Sequence, residues 1–167
     1  MGKTEQLYIK MCEWDKGYPN LIQHFTKVHD YSMLIGRAEG LDEKTLALLE
    51  AESLMHDIGI LPARAKFGDG HGKNQEKVSD GPVREMLTPM GYDPEFIDRV
   101  AYVICHHHTY TDIDAMDYQI LVEADFLVNL FEEDEPKRAC LSAREKIFKT
   151  ETGKHLLDMM FCNAREE

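Results

Sequence analysis

Long apolar runs are missing from this chain. No stretch approaches the roughly 18–20 residues needed to span a bilayer, so a membrane-embedded protein is not expected. The opening Met-Gly-Lys-Thr-Glu-Gln has no apolar core of a signal peptide. Gln6 stands where myristoylation of Gly2 favours Ser or Thr. Cysteine is sparse and scattered: Cys12, Cys105, Cys140 and Cys162 form no CxxC pair and no disulfide framework. Reduced cysteines serving as small core residues, in a cytoplasmic protein, are the expectation. Positive charge is also in deficit, with 19 Lys and Arg against 31 Asp and Glu and a net charge of −12. That balance argues against stable binding to nucleic acid or an anionic membrane, and it would repel phosphate unless a cation reverses the field locally. No alternating β-branched run is present, so a sheet is not expected. Repeats, low-complexity tracts and linkers are absent, which points to one domain over 1–167.

What the chain does contain is helical periodicity. With 167 residues, 43% of them hydrophobic, it can bury a core without staples. Leu21, Ile22, Phe25, Val28, Ser32, Met33 and Ile35 mark one stripe, ending near Gly40. Asp42 is placed to cap a helix running toward His56, and Asp93-Pro94-Glu95 to open another. Ser79-Asp80-Gly81-Pro82 starts a short helix, and Asp117 is a candidate cap for a helix through Asp125. A C-terminal helical region is expected over 136–161, broken near Thr152-Gly153. Residues 62–79 read as one long irregular loop with a local excess of positive charge, a hint of anion binding that a merely solvated loop would explain equally well.

Several residues sit at odd positions for a plain helical core. His56-Asp57 lies at the end of an apolar helix, where Gly59 lets the chain loosen so that adjacent side chains can share one ion. His29 follows Val28 on the first long stripe, and Asp125 lies on the Leu121–Val128 face. A buried carboxylate needs a strong counter-charge, and a divalent metal supplies one. In His106-His107-His108 the helical count turns His107 to the centre of the buried face and His108 to its edge, with His106 outward. A lone inward histidine is usually a hydrogen-bonded core residue; two beside the other four favour metal binding.

The order His, His-Asp, Asp resembles the HD-domain superfamily of metal-dependent phosphohydrolases. It is carried by "KVHDYSMLIGRAEGLDEKTLALLEAESLMHDIGI" and "DYQILVEADFLVN", with the similarity covering about 20–130. The resemblance implies an all-α helical bundle with ligands converging on its core, and a metal on His29, His56, Asp57 and Asp125. "HHHTY" is similar to subgroups with a second metal, for which His107 and His108 are the candidates, giving one or two ions. Two positions depart from the pattern: Ile60 replaces a lysine that helps hold phosphate, and "SDGPVREML" lacks a histidine that dinuclear relatives carry. Arg64 or Lys66 could replace the lysine, and His71, Glu76 or Asp80 the histidine. The GYP signature of cyclic-di-GMP phosphodiesterases is also absent.

The expected reaction is hydrolysis of a phosphate ester or anhydride in a nucleotide or other small phosphorylated molecule. Asp57 and Asp125 would hold the ion and orient water, and Arg64, Lys66 and Lys73 would bind substrate. Mixed imidazole and carboxylate donors suit Mn, Fe or Co better than Mg. The alternatives are an HD-type di-iron oxygenase and a non-catalytic, metal-containing nucleotide sensor.

Overall fold

Turn-forming residues divide the chain into short helical segments in this computed structural model, which describes residues 1–162; the last five residues of the expected domain, 163–167, lie outside the described residues. The helices are α1 (Lys3–Trp14), α2 (Pro19–Ala38), α3 (Glu43–Met55), α4 (Ile60–Phe67) and α5 (Gly72–Glu76). They continue with α6 (Asp80–Leu87), α7 (Pro94–Ile104), α8 (Met116–Glu132), α9 (Lys137–Lys146) and α10 (Glu151–Leu157), and a π-helical turn at Asp158–Cys162. No strand occurs among the described residues, and no helix there is long and apolar enough to cross a membrane. Pro19 and Pro94 occupy first turns, where a missing N–H breaks no helical bond. Asp42 caps α3 by accepting the Thr45 N–H at 3.0 Å.

Three sequence expectations need correction. Residues 62–79 are not one irregular loop, for α4 and α5 occupy most of them. Pro62 falls in the first turn of α4, where it does not interrupt the helix, and Gly68, at φ 85°, ends it. Asp117 does not cap α8; Ala115 is the N-cap, and Asp117 is buried in the first turn, held by Arg99 through contacts of 2.6 and 2.8 Å. The C-terminal break comes at 147–150 rather than 152–153. Thr150 caps α10 by accepting the Gly153 N–H at 2.9 Å. Gly153 is there for contact, since a Cβ on it would stand 2.0 Å from Glu123 Oε2. The fully buried Glu123 carboxylate accepts backbone N–H groups of Lys149 (2.7 Å) and Thr150 (3.0 Å), which docks α10 on α8.

Helix α2 lies against α3 and α8, which also touch each other. One core cluster surrounds α8 with Val28, Ile35, Leu49 and Leu121, and takes in Phe148 and Leu157. A second joins α1, α3, α6 and α7 through Leu7, Met11, Leu54, Val83 and Ile104. Leu49, Leu54 and Leu121 are wholly shielded, and each such side chain is worth about 1.5–3 kcal/mol of burial. Helices α2 and α3 contribute to both clusters, so polar side chains directed between them are enclosed by apolar packing.

Candidate metal centre

The chain turns sharply where α3 ends. His56 is the C-cap residue and Asp57 begins the turn into α4, so these neighbours escape the helical divergence of about 100° and share one centre. Gly59 lets this turn pack closely on the segment around Ser79: a Cβ there would lie 2.3 Å from Ser79 Oγ. Helix α8 brings Asp125 and helix α2 brings His24. His24 Nε2 lies 3.1 Å from His56 Nε2, 3.1 Å from Asp125 Oδ1 and 3.4 Å from Asp57 Oδ2. His56 Nε2 is 3.4 Å from Asp57 Oδ2 and 3.6 Å from Asp125 Oδ1.

His29 is not in this group, which corrects the sequence expectation. Val28 fills the core, and the next residue is turned away by about 100°. The His29 ring meets Tyr8 edge-on, with Nε2 3.6 Å from Glu50 Oε1. His24 takes its place.

Each inward histidine gives its Nδ1 proton to a group that can only accept. His24 Nδ1 donates to Glu132 Oε2 at 2.9 Å, His56 Nδ1 to the Ser53 carbonyl at 2.8 Å, and His107 Nδ1 to the Ile104 carbonyl at 2.8 Å. Glu132 is itself gripped by Lys27 Nζ at 2.7 Å. In their neutral forms, all three rings therefore direct Nε2 lone pairs inward. Burial pushes the His24 and His56 imidazoles down, but the Asp57 and Asp125 carboxylates outweigh it and raise both. Burial likewise raises the two carboxyl groups, yet His56 and His24 hold Asp57 and Asp125 below the usual carboxylate range. The cluster thus draws in positive charge.

A second group adjoins the first. Asp57, His107 and His108 bring ligand-type atoms within 4.8 Å of one another, and Asp57 Oδ1 is 3.9 Å from His107 Nε2. Asp57 therefore faces both groups, one carboxylate oxygen toward each. His107 is buried, and its Nε2 and that of His108 are enclosed without a hydrogen-bond partner. Burial, then charge on His108 and His56, pushes the His107 imidazole down to about 3, so it stays neutral. His106 turns instead to the Tyr102 carbonyl, at 2.7 Å.

A cavity of about 540 Å³ opens on His24 and Asp57, lined also by Asn20, Gln23, Lys27, Ile60 and Asn129. Arg64, Lys66 and Lys73 do not line it. Arg64 and Lys66 are exposed on α4, with Lys66 Nζ 5.3 Å from the Phe67 ring centre, while Lys73 pairs with Glu76 at 3.0 Å and reaches Thr109. Asp80 pairs with Arg84 at 3.0 Å and His71 is exposed, so neither joins the second group.

No family model and no curated protein matches the sequence. Among solved structures, a protein from an uncultured Thermotogales bacterium, described as a "predicted HD superfamily hydrolase", is similar in fold. The TM-score is 0.69 at 23% identity, over 95% of this chain and 84% of that one. The fold is of the HD type. Within this HD-type bundle the donors fit a divalent cation. Two imidazole nitrogens 3.1 Å apart, with carboxylate oxygens beside them, repel unless positive charge lies between. Among the described residues, neither Asp57 nor Asp125 has a Lys or Arg in ion-pair range.

Proposed function

We propose that this protein is an HD-type metal-dependent phosphohydrolase acting on a small phosphorylated molecule. The observation that carries the reading is the convergence of oriented Nε2 atoms from His24 and His56 with the oxygens of Asp57 and Asp125, unbalanced by any Lys or Arg among the described residues. These four residues would hold a divalent cation, and mixed nitrogen and oxygen donors favour Mn, Fe or Co over Mg. Asp57, His107 and His108 would hold a second ion, if one binds. A bound cation supplies Lewis acidity, which lowers the pKa of water and offsets charge on the phosphoryl oxygens.

The remaining work falls to the chain. Asp57 and Asp125 orient the attacking water, and one of them accepts its proton. The water oxygen forms the new bond to phosphorus, the bond to the leaving oxygen breaks, and a proton ends on the leaving alcohol. Lys27, which lines the cavity, would draw the anionic substrate in, and it steadies Glu132 behind His24. Ile60, where the pattern the sequence resembles has lysine, lines the same cavity but offers no charge.

Metal analysis of the purified protein, followed by a phosphatase screen with Mn, Fe, Co, Zn and Mg, tests the reading. Stoichiometric metal and oxygen-independent phosphate release are expected. Turnover that requires oxygen, or tight nucleotide binding without turnover under every metal, would replace it with the oxygenase or the sensor.

A further inference from the structure

Asn129 lines two cavities. Its Nδ2 donates to Asp125 Oδ1 at 2.9 Å, and its side chain lines the 540 Å³ cavity above His24 and Asp57. It also lines a groove of about 410 Å³ between α8 and α9. Phe126, Leu130, Ala139, Ala143 and Ile147 make the groove walls mainly apolar. Asp125 and Asn129 are one helical turn apart, a rise of about 6 Å, so the groove begins within reach of a group bonded to a phosphate at the cluster. Among the described residues its charged lining is Glu133, Glu135 and Lys146, a balance that disfavours a second phosphate there.

We infer that the α8–α9 groove receives the leaving group, and that this group is apolar and uncharged: the substrate is a phosphate monoester of an aromatic or other apolar alcohol. This rests on the phosphohydrolase reading for placing the phosphate at His24, His56, Asp57 and Asp125. Phe126 supplies a ring wall, steadied edge-to-face by Tyr110 at 5.1 Å between centroids. Substrates with phosphates at both ends, and small polar esters such as glycerol phosphate, leave the groove empty or poorly matched.

Equilibrium binding of 1-naphthyl phosphate, glycerol phosphate and inorganic phosphate to the manganese-loaded protein tests this, with kcat/KM measured for the two esters. The naphthyl ester should bind at least about tenfold more tightly than phosphate, because a ring buried in an apolar groove adds more than enough area for that factor. Ala139→Leu and Ser142→Leu, two variants that fill the groove from α9, should cut the preference about tenfold. Metal content and affinity for inorganic phosphate should not change. Equal binding of naphthyl ester and phosphate by the parent, or an undiminished preference in both folded variants, overturns the inference. Hydrolysis of both esters without preference sinks the groove and leaves the phosphohydrolase standing. Tight, groove-dependent binding of naphthyl ester without hydrolysis does the reverse.

Discussion

The inward histidines are set by what lies behind them. Glu132 accepts the Nδ1 proton of His24 and Lys27 holds Glu132, so ring orientation is fixed before any ligand arrives. His24→Ala should remove bound metal and lower turnover at least about a hundredfold, since a ligand and not a contact is lost. His29→Ala should retain both metal and turnover. Metal loss confined to His29→Ala would refute the assignment. Behind the ring, Glu132→Gln keeps an acceptor for Nδ1 and should change metal affinity little, whereas Glu132→Ala should weaken it about 10–100-fold. Metal titration distinguishes the two, and equal affinity in both variants would show that Glu132 has no orienting role. His24 was legible in the sequence. Leu21, His24 and Val28 lie at i, i+3 and i+7 on the stripe that fills the core, while His29 follows Val28 and leaves that face. The resemblance and the position beside Val28 pointed to His29, whereas the i, i+3, i+7 spacing places His24 on the buried face. Periodicity is the better guide here, because only the buried face can reach α3 and α8.

At the scale of elements, the segment after α7 carries His107 and His108. Helix α7 ends at Ile104, yet the helical count still turned His107 inward because the following turn preserves the phase. The Tyr118 hydroxyl reaches the carbonyl oxygens of His106 and Thr109 and pins this turn to α8. Helix α5 covers its other side, with Gly72 so close that a Cβ would stand 2.4 Å from His108 Cγ. Gly72→Ala should therefore displace His108. If the protein binds two ions, elemental analysis should show about one fewer per chain in both Gly72→Ala and His107→Ala, and no change in His106→Ala. Full occupancy in His107→Ala would make the site mononuclear. Neither α5 nor its cover of His108 was legible. Glycine-rich sequence signals a loop locally, and the packing that orders residues 72–76 comes from Lys73 and Glu76 meeting Thr109.

The whole molecule concentrates charge between its apolar clusters, and this sets its response to pH and metal. Glu52 is fully buried with both oxygens unpartnered. Burial, then the nearby Asp117 carboxylate, raises it well above its ordinary 4.5, with Arg99 only partly offsetting this. As pH rises past that ordinary value, the unfolded chain gives up the proton first. The stability contributed by Glu52 is thus fully present below about 4.5 and declines as pH climbs toward the raised folded value. Glu52→Gln should flatten that decline, with a thermal midpoint above the parent's at pH 8 and little different at pH 4; parallel pH profiles would contradict the account. Chelation should lower the midpoint of the metal-loaded protein, because the folded cluster binds the ion and the unfolded chain has no assembled site. An unchanged midpoint after verified metal removal would argue against an ion at this core. The sequence by itself determined the all-α class, the cap at Asp42, the helix start at Pro94 and the candidate group His56, Asp57 and Asp125, since these follow from local propensity and a short, ordered pattern. Only the tertiary structure decided that Lys27 and Asn129 line the approach while Arg64, Lys66 and Lys73 do not, and that Asp57 faces two groups of donors. Those facts depend on how α2, α3 and α8 turn against one another, and spacing along a single chain does not encode that rotation.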